Sequence, residues 1–375
     1  MSIIKNNKNI NSDILENIIT IIKNKVKIPM NNVKETGKYP VISQDRSFIA
    51  GYTDVDSFIA SSKSDPVILF GDHTTEVKFI DFDFCSGGDG TQIFRTKKDV
   101  DIMYLYYLMK NNFIKQDGYK RHFKDLKEKL VSYPNKEEQI KISNFLFNNN
   151  LKITNIKNII EKIEIRNKYY SEKLLSGAFS VKNMKVFEIE NNNYIKVKLK
   201  DIVDVSIGST PKEEFYNGDI PWVTISDLGK NDFENTKKKL TKKIKSVEEG
   251  SLLISFKLSV GVAKITTREV CTNEAIIRIE PSKLKNNISI NYLYHYLPNI
   301  LLANAGKNAY GANILNTKQI NDLDLKIFQD YSEITIFLDK LNEQKNKVEE
   351  FLKLEEQRFE WLSNKLLSGE YIIED

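Results

Sequence analysis

The segment DHTTEVK, which runs from Asp72 to Lys78, holds the residue types that come nearest to hydrolytic chemistry in this sequence. Asp72, Glu76 and Lys78 faintly resemble the set of two acids and a lysine with which many nucleases bind a metal ion and activate water. Residues of these common types fall into such an order often by chance. We therefore interpret the segment as a chance match rather than as a nuclease site.

Other motifs for catalysis are missing from the sequence. Methyl transfer to adenine uses an (Asp/Asn)-Pro-Pro-(Tyr/Phe) loop, and none of the eight prolines is followed by another proline. A phosphate-binding Walker A loop needs Gly-Lys-(Ser/Thr), and each Gly-Lys pair here precedes Tyr or Asn. His73, His122 and His295 lie too far apart in sequence to form a paired metal motif. The sequence therefore predicts no catalytic residues, no metal site and no bound cofactor.

An internal repeat predicts more about the architecture than these motifs do. SEKLLSGAFS starts at Ser171, and SNKLLSGEYI starts 192 residues later at Ser363. At this offset, without a gap, 12 of the 44 residues from Pro134 to Gly177 are identical to their counterparts. The apolar positions also stay in phase. The chain therefore contains one structural plan twice.

Both copies of the repeat predict a long helix. Apolar residues recur in alternating steps of four and three, which is the heptad seam of a coiled coil. Gly177 and Gly369 stand where a glycine ends a helix. Each helix should span about 40 residues, or about 60 Å. The predicted interface between the two helices consists of Ile142, Leu146, Ile153, Ile156, Ile160, Ile163, Tyr170 and Leu174 in the first, and of Ile334, Leu338, Leu341, Val348, Leu352, Phe359, Leu362 and Leu366 in the second.

The polar residues of the two seams are placed so that no two of them meet. They are Asn149 and Asn167 in the first helix, and Lys345 and Glu355 in the second. In a fully overlapped antiparallel pair Asn167 faces Leu341, but a parallel pair also avoids polar contacts, so the seam leaves the direction open. We favour pairing within the chain. Pairing with another chain, or packing of each helix on its own domain, is the alternative.

Composition and charge set outer limits on the function. The chain has 375 residues, 41% of them hydrophobic, and its apolar runs are much shorter than a membrane span. No secretory signal is recognisable and there are only two cysteines, which favours a cytoplasmic protein. The net charge is +5, but residues 330–375 carry −6, so the remainder carries +11. A basic body is typical of proteins that bind a polyanion.

The two segments that precede the long helices predict the same order of elements. In each, β-branched runs between turn residues indicate several strands. Each then has one short helical stretch, DIMYLYYLMKNNF in the first segment and NYLYHYLPNILLANA in the second. The first 28 residues, rich in Lys and Asn, are predicted to be helical. The predicted fold class is α+β, with two similar mixed α/β domains and a pair of long helices.

Several segments resemble the specificity subunit of type I restriction-modification enzymes. VKLKDIVDVSIGSTPKEEFYNGDIPWVTISDL and GSLLISFKLSVGVAKI resemble the start and the middle of its target-recognition domain. GKYPVISQDRSFIAGYTD and ILFGDHTTEVKFIDFDF resemble the same domain in the first half, and YPNKEEQIKISNFL followed by KLLSGAF resembles its spacer helix. The resemblance covers nearly the whole chain. It departs from the family at the N-terminal segment and at IFQDYSEITIFL, which lacks the Pro-x-x-x-Glu-Gln entry to the second spacer helix.

The resemblance implies an architecture of four parts. They are a first target-recognition domain at residues 1–133, a central spacer helix at 134–177, a second target-recognition domain at 178–329 and a C-terminal spacer helix at 330–370. The spacer helices would pair antiparallel and hold the two domains apart, with an internal pseudo-two-fold axis.

The resemblance also implies a function. The chain would bind a bipartite site in double-stranded DNA, with one domain for each half-site, and would have no catalytic activity of its own. It would scaffold methyltransferase subunits, expected to be two, and restriction subunits would complete a nuclease. S-adenosylmethionine, ATP and Mg²⁺ would be bound by those partners and not by this chain, and no membrane would be involved.

DNA contacts are expected from side chains that suit phosphates and base edges. The run KKKLTKKIK, from Lys237 to Lys245, would add phosphate contacts, although a solvated loop explains it equally well. Trp222 is as compatible with the core as with DNA. The candidates are Ser43, Gln44, Arg46, His73, Thr74, Thr75 and Lys78 in the first domain, and Gly208, Ser209, Thr210, Lys212, Trp222, Thr224, Ser226, Lys257 and Ser259 in the second.

Two other functions stay open from the sequence. The same layout occurs in the specificity subunit of a related restriction class, type IIB, whose partner fuses methylase and nuclease. A coiled-coil scaffold whose basic domains bind protein or RNA is the other alternative.

Overall fold

The structure is a computed structural model that divides the chain into two compact units. Unit 1 comprises Met1–Asn158 and Glu350–Asp375, and unit 2 comprises Ile159–Glu349. Each of two long helices therefore contributes one part to each unit. The structure describes residues 2–5, 10–23, 26–97, 99–111, 118, 120–190, 192–212, 215–229, 233, 236, 238–241, 244–285, 288–307 and 313–374.

Unit 1 starts with strands and ends in a long helix. Its elements in chain order are β1 (Ser2–Lys5), β2 (Asn11–Ile14), α1 (Leu15–Ile18), β3 (Ile19–Ile21), a 3-10 turn (Met30–Asn32), β4 (Tyr39–Ile42), β5 (Gly51–Thr53), β6 (Val67–Gly71), β7 (Val77–Ile80), β8 (Cys85–Ser86), β9 (Thr91–Thr96), α2 (Ile102–Lys110), α3 (Phe123–Lys127), β10 (Leu130–Tyr133) and the first part of α4 (Lys136–Ser176).

Unit 2 has more strands in a similar order. After the end of α4 it contains β11 (Phe179–Lys182), β12 (Lys185–Glu188), β13 (Tyr194–Lys198), α5 (Leu199–Ile202), β14 (Ser206–Ile207), β15 (Tyr216–Val223), α6 (Ile225–Leu228), β16 (Lys239–Leu240), β17 (Leu252–Ser255), β18 (Lys257–Leu258), β19 (Ala263–Ile265), β20 (Cys271–Thr272), β21 (Ile276–Ile279), a 3-10 turn (Pro281–Lys283), α7 (Ile290–Asn304), β22 (Gly306–Lys307), β23 (Asn313–Ile314), α8 (Thr317–Asn321), β24 (Asp324–Phe328) and the first part of α9 (Tyr331–Leu367). The end of α9 and β25 (Tyr371–Glu374) return to unit 1.

The main sheet of unit 1 has four antiparallel strands in the order β3-β9-β6-β7. Beside it, β4 pairs antiparallel with β5 and parallel with β8. The short helix α2 lies on the main sheet and buries Tyr104 and Leu105 against Phe70 and Phe94. Strand β6 is buried along its whole length, as expected for a central strand covered on both faces.

Unit 2 repeats the order and direction of these paired strands and adds a further small sheet, β18-β23-β22. Its main sheet has the order β14-β21-β17-β19, again all antiparallel. Strand β15 pairs antiparallel with β16 and parallel with β20, as β4 does with β5 and β8. The ribbon β13·β24 corresponds to β2·β10. The predicted fold class, α+β with an internal repeat, is confirmed.

The two short helices and the two long helices that the sequence predicts, α2, α7, α4 and α9, are present. In α2 the side chain of Asp101 accepts a hydrogen bond from Tyr104 N, and in α7 Ser289 caps the first turn in the same way. The long helices α4 and α9 end at glycines with positive φ, Gly177 at 85° and Gly369 at 75°. The structure gives the first and last residues of α4 and α9. The predicted boundaries of the four domains stay a prediction.

The two long helices run antiparallel within each unit. In unit 1, Glu138 contacts Ile373 beyond the end of α9, while Lys152, further along α4, pairs with Glu355 nearer its middle. In unit 2, the Glu164 carboxylate binds Lys345, and Asn167 donates to the carbonyl of Leu341 at 3.1 Å. Residue numbers fall on one helix as they rise on the other, so the direction that the seam left open is antiparallel.

The prediction of a helix over the first 28 residues is wrong. Among the described residues of this segment only α1 is helical, and β1, β2 and β3 are strands. Each of these strands pairs with a distant segment, namely β25, β10 and β9. Lys and Asn are compatible with either state, and the isoleucines find their partners only through tertiary pairing. Residues 1, 6–9, 24 and 25 lie outside the described residues.

Candidate nucleic-acid interface

Three segments of unit 2 meet where β14, β15 and β20 end. Because β15 and β20 are parallel, the residues that follow them leave the sheet at the same edge. Ser209 N donates to Thr272 O at 2.9 Å, and Asn273 N donates to Val223 O at 3.0 Å. The indole Nε1 of Trp222 donates to Ser209 O at 3.2 Å. These bonds fix a loop surface, called loop surface 2, that consists of residues 208–212, 222–226, 257–259 and 273–274.

A glycine is needed for the first of these segments to approach the third. A Cβ built on Gly208 would overlap the carbonyl oxygens of Thr272 and Asn273. Close approach of two backbones is a main reason for glycine in a loop. The Gly-Ser-Thr stretch selected from the sequence is thus packed directly against β20.

Loop surface 2 contains both a carboxylate and basic side chains. The hydroxyl of Thr210 donates to Glu274 Oε2, and this bond, with help from Lys257, holds the pKa of Glu274 below its ordinary value. Lys257 is close because Phe256 N donates to Ala275 O at 3.1 Å. Lys212 and Ser259 are exposed, and each follows one of these residues closely in sequence: Lys212 follows Thr210, and Ser259 follows Lys257. Their charges and hydroxyls suit phosphate contacts.

The basic run joins the aromatic part of the same surface. The Lys238 ammonium lies 4.7 Å from the ring centroid of Tyr216 and 5.4 Å from that of Trp222. A lysine over aromatic rings keeps its charge while its stem is held in place. Lys239 and Lys245 are also described, whereas residues 237, 242 and 243 of the run lie outside the described residues.

Thr224 and Ser226 have a local structural role. The hydroxyls of Thr224 and Ser226 lie 2.9 Å apart, and that of Thr224 also donates to Asp227 Oδ2 at 2.7 Å. Together with the bond from Thr224 N to the same oxygen, this forms a cap on the short helix α6. Ser226 is exposed and stays a candidate contact.

In unit 1 the predicted residues gather around Gln44. Its Nε2 donates to Asp89 O at 3.1 Å, and its Oε1 accepts from His73 N at 3.1 Å. The Thr74 hydroxyl donates to Gln44 O at 2.6 Å. Thr75 adopts a positive φ of 58° in the same turn, and Arg46 is exposed on the adjoining loop. Residues 43–47, 72–75 and 87–90 form this loop surface 1.

Three of the side chains predicted to contact DNA are buried in this structure, and the DNA contacts as a whole stay a prediction. Ser43 is 2% exposed, Lys78 is 4% exposed and Trp222 is 7% exposed. Lys78 Nζ donates to the carbonyls of Ser43 at 2.8 Å and Ser47 at 2.6 Å, and burial lowers its pKa. A buried polar group must be hydrogen-bonded within the protein. These side chains therefore support the loops from inside the domain.

The sequence analysis missed charged residues on the same surfaces. Lys23 and Lys27 follow β3 as residues 208–212 follow β14, and Lys27 Nζ lies 3.4 Å from Asp89. Asp89 and Glu274 were also not selected. The strand register reveals the correspondence, since β3 pairs with β9 as β14 pairs with β21. The apolar run before KNKVK is compatible with a strand that ends at these lysines, whereas the sequence analysis predicts a helix there.

The predicted helix seam is buried or half-buried at each of its positions. The charged residues of the seam form ion pairs with residues that lie beside the seam on the other long helix. Lys345 Nζ lies 2.7 Å from Glu164 Oε1, and although burial opposes its charge, the hydrogen bond that Lys345 donates to this carboxylate raises the pKa of Lys345. The side chain of Glu355, only 11% exposed, accepts from Lys152 at 2.9 Å. The seam therefore tolerates charges because a partner stands beside each one.

An exposed aromatic cluster lies at each of the two copies of the KLLSG sequence. In unit 2, Tyr169 contacts Phe179 with ring centroids 5.9 Å apart, and Lys173 Nζ lies 5.9 Å from the Tyr169 ring. The counterparts in unit 1 are Trp361 and Tyr371 at 6.0 Å, with Lys365 over Tyr371 at 5.9 Å. Tyr169 is 49% exposed and Trp361 is 52% exposed. These clusters are called the aromatic platforms.

The nuclease-like segment does not form a metal site in the structure. Asp72 is buried and its Oδ1 accepts from Phe123 N at 2.7 Å, while Lys78 is committed to backbone carbonyls. Within the described part of the chain, no three His, Cys, Asp or Glu residues are grouped to hold a metal ion.

No helix among the described residues has the length and apolar character needed to cross a membrane.

Comparison with protein families gives one domain match. Residues 191–357 match the type I restriction modification DNA specificity domain. The chain is 23% identical over 378 residues to the type I restriction enzyme EcoR124I/EcoR124II specificity subunit of Escherichia coli, covering 92% of this chain and 90% of that protein. It is 30% identical over 110 residues to the MjaIX specificity subunit of Methanocaldococcus jannaschii, covering 26% of this chain and 25% of that one.

Solved structures share the fold. The S subunit of a type I restriction-modification system from M. genitalium superposes with a TM-score of 0.62 at 16% identity, covering 96% of each chain. A chain from a study of complex assembly and conformational transition of the type I system gives 0.56 at 14% identity, covering 96% of this chain and 97% of that one. The likeness extends over both units and both long helices.

Proposed function

We propose that this chain is a specificity subunit of a type I restriction-modification system and that it binds a bipartite site in duplex DNA with one loop surface for each half-site. The observation that carries the proposal is the duplicated construction of the loop surfaces. In both units a loop leaves the main sheet and packs beside a pair of parallel strands. Two similar surfaces with different side chains suit two different short sequences.

The charges on these surfaces fit a DNA partner. Lys23, Arg46 and Lys212 are exposed, and Lys238 and Lys257 lie over aromatic rings. By contrast, Lys196 and Lys200 on the β13·β24 side are paired with Asp324 and Asp322 at 2.8 Å. Basic groups held in such pairs add little to a phosphate-binding surface. The basic groups of the loop surfaces would release counterions when they contact phosphates.

The proposal that each loop surface recognises one half-site is tested by replacing one domain. Exchange of residues 181–329 for another recognition domain should change one half of the recognised sequence and leave the other half as it was. Motifs are obtained by methylation mapping with the reconstituted complex. Lys212→Ala should weaken binding on every sequence and lower the slope of log K against log salt by about 0.9. A change in both half-sites after the exchange, or in neither, contradicts the proposal.

We also propose that two methyltransferase subunits dock on the helix pair, one at each aromatic platform. The support is that the platforms are exposed, apolar and related by the 192-residue offset of the repeat. An exposed aromatic residue that recurs in this way suits a partner that binds twice. The chain itself would be non-catalytic and act in the cytoplasm. S-adenosylmethionine, and the ATP and Mg²⁺ of any restriction subunit, would be bound by the partners.

Stoichiometry tests the docking proposal. Tyr169→Ala or Trp361→Ala should each remove one methyltransferase subunit from the complex, and the double variant should remove both, as measured by native mass spectrometry. Leu302→Ala is the matched control, because Leu302 is similarly exposed, at 53%, but lies on α7 and belongs to neither aromatic platform. Retention of two subunits by the double variant, with the control unchanged, would exclude the platforms as docking sites.

A further inference from the structure

Asp89 and Glu274 occupy similar places in the two units, three residues after the end of β8 and two residues after the end of β20. Asp89 follows β8, the short strand parallel to β4, and Glu274 follows β20, the short strand parallel to β15. Each carboxylate contacts the loop that leaves the first strand of its main sheet. Lys27 Nζ lies 3.4 Å from Asp89 Oδ1, and the Thr210 hydroxyl donates to Glu274 Oε2. Both loop surfaces therefore place one acid in the turn that follows the short parallel strand, beside the loop that follows the first strand of the main sheet.

Both acids are open to solvent. The side chain of Asp89 is 99% exposed, and Glu274 is exposed at the tip of its turn. Asp89 is anchored through its main chain, since Asp89 O accepts from Gln44 Nε2. The carboxylate of Asp89 is thus presented outward by a loop that is held elsewhere. An outward acid would be repelled by phosphates, so on a DNA-binding surface it needs a hydrogen-bond donor to face.

The donors that DNA offers in the major groove are the exocyclic amino groups of cytosine and adenine. Adenine presents its N7 acceptor next to the N6 amino group, and a carboxylate beside N7 meets another electron-rich atom. Cytosine presents the N4 amino group without such an acceptor on the same base. The ionised form of Glu274 is favoured because the Thr210 hydroxyl donates to it and so lowers its pKa. A carboxylate at this position therefore fits cytosine best.

We propose that Glu274 and Asp89 are specificity-determining residues, each of which accepts a hydrogen bond from the N4 amino group of a cytosine in its own half-site. This inference rests on the proposed function, because it assumes that each loop surface reads one half of a bipartite DNA site. The similar position of the two acids makes the role the same in both units. The rest of each half-site is read by other side chains of the same loops.

The test is selection from a pool of randomised duplexes by the full chain assembled with its methyltransferase partner. Glu274→Gln keeps the size of the side chain and gives it both a donor and an acceptor, the pair that matches adenine N6 and N7. The preference at one position of the second half-site should change from cytosine to adenine. Affinity for the original site should fall by about 5-fold to 100-fold. Asp89→Asn should do the same in the first half-site only.

Two matched variants separate base reading from loop support. Glu249→Gln removes the same charge at a position that precedes β17 and lies outside loop surface 2. It should leave the base preference in both half-sites unchanged. Thr210→Val removes the bond to Glu274 and should lower affinity without changing the preferred base. An unchanged base preference in Glu274→Gln, or loss of binding to all sequences, would overturn the inference. If the wild-type complex selected no bipartite motif, the proposed function would fail and this inference with it.

Discussion

The carboxylate of Glu138 at the start of α4 accepts a hydrogen bond from the main-chain amide of Ile373, 2.9 Å away. The same bond exists in the other unit, where Asp330 Oδ2 accepts from Val181 N at 3.1 Å. Glu138 and Asp330 are 192 residues apart, and so are Val181 and Ile373. The second copy lacks the Glu-Gln pair of the first, yet its aspartate makes the equivalent contact. Each long helix thus holds the strand that follows the other long helix in its unit.

This contact predicts a local effect in each unit. Glu138→Ala should increase hydrogen exchange in β25 but not in β11, and Asp330→Ala should do the reverse. Each variant should cost about 1–3 kcal/mol, because a buried main-chain donor loses its partner. Exchange is followed by mass spectrometry of peptides that contain Ile373 or Val181. Glu137→Ala, at an exposed neighbouring position, is the control. Equal changes in both strands would contradict this assignment.

The ion pair between Lys152 and the seam carboxylate Glu355 predicts opposite effects for substitution of its two members. Lys152→Met leaves a nearly buried charge with only the more distant Arg358 at 3.8 Å, and should destabilise the protein by about 1–3 kcal/mol. Glu355→Leu completes the apolar seam and should be neutral or stabilising. Urea unfolding of both variants measures the difference. A larger loss in Glu355→Leu than in Lys152→Met would show that the ion pair is itself a net source of stability.

The close approach at Gly208 predicts a loss of DNA binding when this glycine is replaced. In Gly208→Ala the new methyl group would displace the loop from Thr272 and Asn273. Affinity for the full site should fall by at least about tenfold, the scale of one lost base contact, and the melting temperature should fall as well, because backbone atoms must shift. Gly229→Ala is the matched control, because a Cβ there has no atom within 4 Å. Equal effects of the two variants on DNA binding would remove Gly208 from the site.

The contact between α7 and α9 predicts part of the acid sensitivity of unit 2. Asp339 accepts from His295 Nε2 at 2.7 Å and from Asn291 Nδ2 at 2.8 Å, and although burial opposes ionisation, these bonds lower the pKa of Asp339 from 3.8. A lowered folded pKa gives stability that is present above 3.8 and is lost as the pH falls through the folded value. Asp339→Asn should flatten that part of the profile of unfolding free energy against pH. A profile that keeps its wild-type slope there would assign the acid sensitivity to other carboxylates.

The sequence by itself determined the features that repeat along the chain. The two long helices follow from the heptad spacing that contains Ile142, Leu146, Ile334 and Leu338, and their ends follow from glycines that can adopt positive φ. Local periodicity is written in neighbouring residues, so it can be read without knowing the fold. The resemblance of whole segments to a known family can be recognised for the same reason.

Only the tertiary structure decided which residues reach the loop surfaces. Lys78 looks like a phosphate ligand in sequence but lies beneath the loop, where two carbonyls need its ammonium group. Asp89 and Glu274 carry no local signal, because their correspondence depends on parallel pairing between strands that are far apart in the chain. The direction of the helix pair was decided in the same way. Both directions bury the seam, and only contacts such as that between Asn167 and Leu341 distinguish them.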